Sequence, residues 1–245
     1  MRYDEETYGR LFSDIYDTFY PSFDADALDS LEALASGGRI LELGVGTGRV
    51  ALPLAERGLD VTGLDASEAM IAKLQAKPGA DRLRVIRGSF AKLPSQLDGE
   101  RFELIFVVFN SFFALLTQAE QVQCFRSVAE HLTADGRFLI EAFVPDLTRF
   151  NDGQAVRVIH LDEDIVRLDA AELDVAQQQI VSQQLLVSDE GTKLFPVKLR
   201  YAWPPEMDLM AELAGLSLIE RWGSWGRDPF TKASTKHVSV YGHAA

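Results

Sequence analysis

Apolar positions recur every three or four residues at the start of the chain. In "ETYGRLFSDIYDTFY", Tyr8, Leu11, Phe12, Ile15 and Phe19 share one helical face, and Pro21 ends the segment. "DADALDSLEALA" is a second amphipathic stretch, with Leu28, Leu31 and Leu34 three apart and Gly37-Gly38 as its stop. From Arg39 the period changes. The runs "RILELG", "DVTGLD", "LRVIRG", "FELIFVVFN" and "GRFLIEAF" read as strands, the fourth apolar enough for burial on both faces. Between them the pattern predicts helices over residues 47–56, 67–75 and 118–132, with Ser67 as an N-cap. Strand alternating with helix implies a parallel sheet covered on both faces. After Pro145 the pattern changes again. "AVRVIHLD", "DIVRLDAAELD" and "QQIVSQQLLVSDEGTKLFPVKLRYAW" are β-rich, with turn signals at Asp162-Glu163-Asp164 and Asp189-Glu190-Gly191. They predict an inserted antiparallel meander. "PPEMDLMAELAG" returns to helix, with Pro205 in its first turn and Gly215 at its stop, and "LSLIERW" and "KHVSVYGH" close the chain as strands.

A length of 245 residues suits one large domain, or one domain carrying a sizeable insertion. The chain is 47% hydrophobic and 25% charged, ordinary for a globular protein. No apolar run approaches the ~18 residues of a membrane helix. The opening "MRYDEETYGRLF" lacks a secretory core, so a cytoplasmic protein without a membrane partner is expected. The net charge of -13, with basic residues scattered through Lys73 to Arg87 instead of clustered, argues against nucleic acid. A small neutral or cationic substrate, or plain solubility, accounts better for the charge. A single cysteine, Cys124, excludes an internal disulfide and a multi-cysteine metal site; it reads as a small buried hydrophobe, and no metal is expected.

The chemistry begins at "RILELGVGTGRV". Gly44 lets the chain turn off the strand, Gly46 lets a ligand approach the backbone, and Gly48 lets the next helix pack closely. Asp65, about 20 residues on, ends the second strand at the separation where a carboxylate reaches a ribose diol. Two ligands compete for such a turn. Dinucleotide binding wants G-x-G-x-x-G, but here the third glycine comes one residue early and Arg49 stands in its place. A phosphate loop is excluded, because no Lys-Ser/Thr follows. Glu42 stands two residues before Gly44, and an acid in mid-strand is costly without a partner.

The spacing E-x-G-x-G-x-G resembles motif I of the class I S-adenosylmethionine-dependent methyltransferases. "GLDAS" resembles that family's second motif, "RGSF" stands where it usually has Gly-Asp, and "EHLTADGRFLIE" resembles the helix-turn-strand before its fifth strand. The resemblance covers residues 40–143, and the final helix and two strands fit the family's reversed seventh strand. It implies an α/β, Rossmann-like fold. The sheet would have seven mostly parallel strands with one antiparallel, and helices on both faces. A helical lid over residues 1–38 and an antiparallel β-insertion over residues 146–203, after the fifth strand, would complete one domain, residues 1–245.

Carried over residue by residue, the resemblance implies that Glu42 serves the methionine amino group of S-adenosylmethionine. The backbone of Gly44, Val45, Gly46 and Gly48 would pass beside the methionine and ribose. Asp65 would accept from the ribose hydroxyls and Ala66 would touch adenine. Gly88 and Ser89 would stand near the exocyclic amine, where Ser89 lacks the charge of the family's usual Asp. Phe90 would pack on the ring, and Phe109 to Ser111 would lie by the sulfonium. "YDTFY" resembles the opening of aminosugar N-methyltransferases of natural-product biosynthesis, which makes Tyr16 and Tyr20 candidate lid residues beside cofactor and methyl group.

Methyl transfer from a sulfonium is an in-line displacement with a neutral leaving group, so the protein aligns the partners and excludes water. Where the acceptor needs a base, Tyr20, His131 and Glu141 are the candidates, with His160 and His237 behind them. Each has a plainer role open to it: Tyr16 and Tyr20 as helix core, His131 as a helix end, and His237 as structure. Trp222, Trp225, Arg227 and Phe230 either wall the acceptor pocket or cap the sheet; Phe112, Phe113 and Phe143 supply other apolar walls. The expected reaction is methylation of N or O on a small molecule, releasing S-adenosylhomocysteine. A protein or RNA methyltransferase is the alternative, against which "FNSF" replaces Asn-Pro-Pro-Tyr after the fourth strand. A catalytically silent binding subunit is another, and a homodimer is left open.

Overall fold

Two β-sheets carry the chain in the computed structural model, which describes residues 3–244. Helices α1 (Thr7–Phe19) and α2 (Ala25–Ala35) come first. The strand–helix series follows as β1 (Ile40–Leu43), α3 (Ala51–Glu56), β2 (Val61–Asp65), α4 (Glu68–Gln75), β3 (Arg84–Arg87), β4 (Phe102–Val107), α5 (Gln118–His131) and β5 (Leu132–Phe143). Four strands then form a separate layer: β6 (Gln154–Leu161), β7 (Val166–Asp174), β8 (Gln179–Ser188) and β9 (Gly191–Arg200). The chain ends with α6 (Pro204–Leu213), β10 (Leu216–Trp222) and β11 (Lys236–His243). The larger sheet has the order β10-β11-β5-β4-β1-β2-β3. Strand β11 runs antiparallel to both of its neighbours, and the other pairings are parallel. This is the seven-stranded, mostly parallel arrangement expected, with the antiparallel sheet β6-β7-β8-β9 following the fifth strand.

Alternation along the strands builds two cores. Leu41, Leu43, Ile105, Val107, Phe138 and Ile140 face one side, where α5 and α6 contribute Phe125, Val128, Met207 and Met210. Ile40, Leu104, Phe106 and Leu139 face the other, against Leu31 of α2 and Leu54 of α3. Successive side chains of a strand point to opposite faces, so these short runs serve helices on both sides.

Local signals set most helix ends. Ser67 Oγ accepts from Met70 N at 3.3 Å, the N-cap expected of it. Thr117 and Glu120 form a capping box on α5. One start differs: α3 begins at Ala51, not at residue 47, because Gly48 sits at φ 81° and the left-handed backbone there cannot belong to an α-helix. A Cβ on Gly48 would stand 3.0 Å from Leu52 and Leu74, so this glycine also lets α4 and α3 pack together.

Helix α1 lies between the two sheets. It packs on α4 and β9. Its Phe12 is fully buried and meets Phe195 of the layer edge-on at 5.1 Å. Ion pairs Asp14–Lys73 (2.8 Å), Asp17–Lys77 (2.7 Å) and Glu6–Arg87 fasten the same helix region to the larger sheet's side. These pairs are solvent-accessible, and each contributes at most about 1 kcal/mol.

Candidate active site

The glycine turn leaves the carboxyl end of β1, where parallel α/β sheets place their ligands. Leu64 O receives Gly44 N at 2.7 Å and Val45 N at 3.0 Å, so β2 holds the turn down. Val45 itself is buried in the α2–α3 core. Gly46 has φ 55°, and a Cβ there would meet nothing nearer than its own turn's Gly44 O at 3.9 Å. The space beside it is open, so a group can lie against the bare backbone.

Two carboxylates face this turn. Asp65 Oδ2 accepts from Gly46 N and Oδ1 from Ser67 N, each at 2.8 Å. Each oxygen keeps a further lone pair, and desolvation raises the Asp65 pKa despite those donors. Glu42 lies on β1 and is buried. Its Oε2 has no hydrogen-bond partner. Burial pushes its pKa well above the ordinary 4.5, opposed by the Arg49 charge and the Ala51 backbone N–H. An orphaned carboxylate oxygen in a dry site is what a ligand ammonium would satisfy. Opposite stand aromatic rings. Phe109 and Tyr20 meet edge-on at 4.8 Å, and Tyr16 lies 5.1 Å from Tyr20. Arg49 Cζ sits over all three, 4.2 Å from the Phe109 centroid. Burial raises the Tyr16 phenol to about 12. An acidic rim, an open glycine backbone and an aromatic wall suit a cationic ligand with a sugar diol.

The descent of the chain agrees with this geometry. A profile described as a methyltransferase domain matches residues 40–136. The methyltransferase CcbJ of Streptomyces caelestis is 38% identical, with TM-score 0.90, covering 99% of this chain and 100% of that one. The chain belongs to the S-adenosylmethionine-dependent methyltransferases. The cypemycin N-terminal methyltransferase of a Streptomyces species is 29% identical over 83% of this chain and 82% of its own. CalS10, an amino pentose methyltransferase from Micromonospora echinaspora, is 20% identical with TM-score 0.67, covering 92% of this chain and 96% of that one, and shares the fold.

The cofactor of this methyltransferase fits the residues present. Glu42, Gly44, Gly46 and Asp65 converge at the strand ends. Ala66 follows Asp65, and Gly88 N donates to Asp65 O at 2.9 Å, which brings Gly88 and Ser89 to the same edge. Ser89 Oγ takes Ala91 N at 3.4 Å. Phe90 is partly buried against the core and would lie 3.7 Å from a Cβ on Gly44. It therefore serves packing and the site edge together.

Of the base candidates, Tyr20 lies at the site and two others are engaged elsewhere. Glu141 Oε2 accepts from Phe109 N at 2.8 Å, and Lys236 Nζ lies 3.8 Å from Oε1. That carboxylate holds a strained turn: Phe109 and Asn110 both have positive φ, 57° and 65°. Asn110 Oδ1 completes the clamp by accepting from Phe143 N at 2.7 Å. His131 ends α5 immediately before β5 begins, at the opposite edge of the sheet, and its Nδ1 pairs with Ser127 O at 2.7 Å. Distance removes it from the chemistry. His237 is buried, its pKa lowered to about 3 by desolvation. His160 pairs with Asp162 at 2.8 Å on the layer. Trp222 and Trp225 are buried in the α2–α3 core, with Trp225 edge-on to Phe23, so they cap the sheet instead of walling a pocket. Phe112 and Phe113 are core residues. Cys124 is buried, its thiol pKa pushed up by desolvation. Arg49 as an aromatic-stacked cation, the clamping role of Asn110 and Arg167 escaped sequence reasoning. A non-glycine pair at positive φ has no sequence marker beyond Asn itself.

Proposed function

We propose that this methyltransferase methylates a nitrogen of a small-molecule amine. S-adenosylmethionine, when bound, supplies an electrophilic methyl carbon whose departure leaves a neutral thioether. The observation that carries the nitrogen reading is how few base candidates reach the site: among the described residues Tyr20 lies there, and Glu141 already accepts from Phe109 N. His131 lies outside the site and His237 is buried. An amine arriving unprotonated attacks through its own lone pair, and the N–H proton leaves to water afterwards; a hydroxyl would need its proton taken in the transition state. The protein then has to orient and desolvate. In this reading Glu42 and Asp65 hold the ammonium and ribose, Val45 through Gly48 form the floor, and Ala66, Gly88, Ser89 and Phe90 border the adenine. Tyr16, Tyr20 and Phe109 face the methyl group. Residues 3–38 of the expected lid act as one, its first two residues lying outside the described ones, and residues 146–203 roof the acceptor side of one domain. CalS10, an amino pentose methyltransferase, and the cypemycin N-terminal methyltransferase support nitrogen. The latter also favours a second reading, a peptide N-terminal amine.

The outer face of the roof also supports the homodimer. Val156 (72% exposed), Leu161 (69%), Val158, Leu194, Val181 and Val187 lie there together. The strand register puts Val166, Leu168 and Leu185 on the same face, so the exposed positions form one apolar patch. A contiguous exposed patch of this kind marks an interaction surface.

The test is transfer of tritiated methyl from S-adenosylmethionine to a panel of amines, matched alcohols and short peptides. Label in the amines alone is expected. Label in the alcohols alone overturns the nitrogen assignment.

A further inference from the structure

The inner face of β7 buries a cation with no anion beside it. Arg167 is 4% exposed. Among the described residues it makes no ion pair; Nη2 donates to Gln184 Oε1 at 2.9 Å and to the Tyr20 hydroxyl at 3.4 Å. Its Nε and Nη1 donate to no described residue and, unlike Glu42 Oε2, are not sealed from solvent. Other covered arginines of this chain behave differently. Arg200, also buried at 5% exposed, pairs with Glu206 at 2.8 Å, and the partly buried Arg221 pairs with Asp208. That is the ordinary solution, because a desolvated charge without a counter-charge is expensive.

Packing alone accounts for Arg167 poorly. Its Cζ lies 3.9 Å from the Phe19 centroid, 5.4 Å from Phe12 and 5.7 Å from Tyr20. Those rings stabilise the cation, but they offer its free N–H groups no acceptor. Other cations deepen the imbalance. Asp169, two residues along the same face, is shared by Arg157 (3.3 Å) and Arg149 (3.7 Å). Asp169 is therefore already shared by two guanidiniums and makes no pair with Arg167, in a chain whose net charge is -13. The Tyr20 ring links this place to the methyl-transfer side, since it touches Phe109 at 4.8 Å on its other flank.

We propose that Arg167 receives an oxyanion, carboxylate or phosphate, carried by the methyl acceptor, so that the enzyme selects acidic amines. The planar guanidinium presents paired N–H donors that match two oxygens of such a group. The acceptor's amine and its oxyanion are then a few bonds apart, on the two sides of Tyr20. This assignment rests on the amine-methyltransferase reading above.

The experiment incubates the full-length enzyme and tritiated S-adenosylmethionine with the small-molecule pool of the organism that encodes it. Labelled products are passed over a strong anion exchanger at alkaline pH, where a tertiary amine is neutral and an oxyanion is retained. Retained label is expected; its loss after phosphatase treatment identifies phosphate, and its loss after carbodiimide amidation identifies carboxylate. With the retained acceptor, Arg167→Gln should raise KM about 10²-fold, the size of a charge-assisted pair. Arg167→Lys should recover part of that. Affinity for S-adenosylhomocysteine, measured on the same preparations, should stay within about twofold and certifies that the variants fold. Label found only in unretained neutral products, or a wild-type KM in Arg167→Gln, overturns the oxyanion site. No label in any fraction overturns the transferase reading beneath it.

Discussion

The carboxyl edge of the seven-stranded sheet and the inner face of the four-stranded layer both bury charge, with opposite signs and by different means. At the sheet edge the buried groups are carboxylates, Glu42 and Asp65, approached by backbone N–H donors of the glycine turn and of Ser67. On the layer the buried group is the Arg167 guanidinium, approached by aromatic rings and an amide. An acidic edge suits the cationic donor and a basic face suits an anionic acceptor. The two ligands differ in sign, and each wall carries the complement. Tyr20 stands at the seam and touches both.

The largest expected effect tests the acidic wall. Asp65→Ala should weaken S-adenosylhomocysteine binding about 10²-fold by calorimetry, as expected for two hydrogen bonds to a charged acceptor. Unchanged affinity would remove the ribose from that wall. Next comes pH. Glu42 titrates above its ordinary 4.5 in the fold. Its contribution to stability is therefore fully present below 4.5 and fades as pH rises through the folded pKa. His237, lowered from 6.5 to about 3, acts in the opposite sense: its contribution is present above 6.5 and is lost as pH falls towards 3. Urea midpoints of Glu42→Gln should accordingly gain on wild type as pH rises above 4.5. A constant offset across that range would contradict a protonated Glu42. Cofactor titrations in buffers of different ionisation enthalpy should also show proton release that Glu42→Gln lacks. The smallest effect on the donor wall is expected from the far side of the layer. Leu194→Lys should convert a dimer to a monomer in sedimentation while leaving S-adenosylhomocysteine affinity within about twofold. A wild type that sediments as a monomer would sink the dimer.

The two walls also differ in how far the sequence reveals them. Glu42, Gly44, Gly46, Gly48 and Asp65 lie within one strand–turn–strand unit, so their spatial relation follows from spacing and backbone geometry. The seven-stranded, mostly parallel sheet was legible through alternating periods and the motif resemblance. Helix α3 began late because a glycine needed for packing was also incompatible with helix. The basic wall has no such locality. Arg167 and Tyr20 are 147 residues apart and meet only after the layer folds onto α1. Period-2 alternation in "DIVRLDAAELD" shows that Arg167 and Asp169 share a face, but not which face is buried. Glu141 was read as a base from its place at a strand end. Its actual partner is a backbone N–H on β4's exit, a contact that no side-chain pattern records.

Helix α1 has a consequence for the timing of the reaction. Asp17 accepts from Thr47 Oγ1 at 2.6 Å and pairs with Lys77, which also donates to Thr47 O at 2.8 Å. The residue after the same helix, Tyr20, reaches Arg167. The C-terminal end of α1 thus touches the glycine turn through Asp17 and the proposed acceptor wall through Tyr20. If that end closes over the donor, as proposed for the lid, the kinetic signature is compulsory order: cofactor first on, methylated product first off, and S-adenosylhomocysteine last.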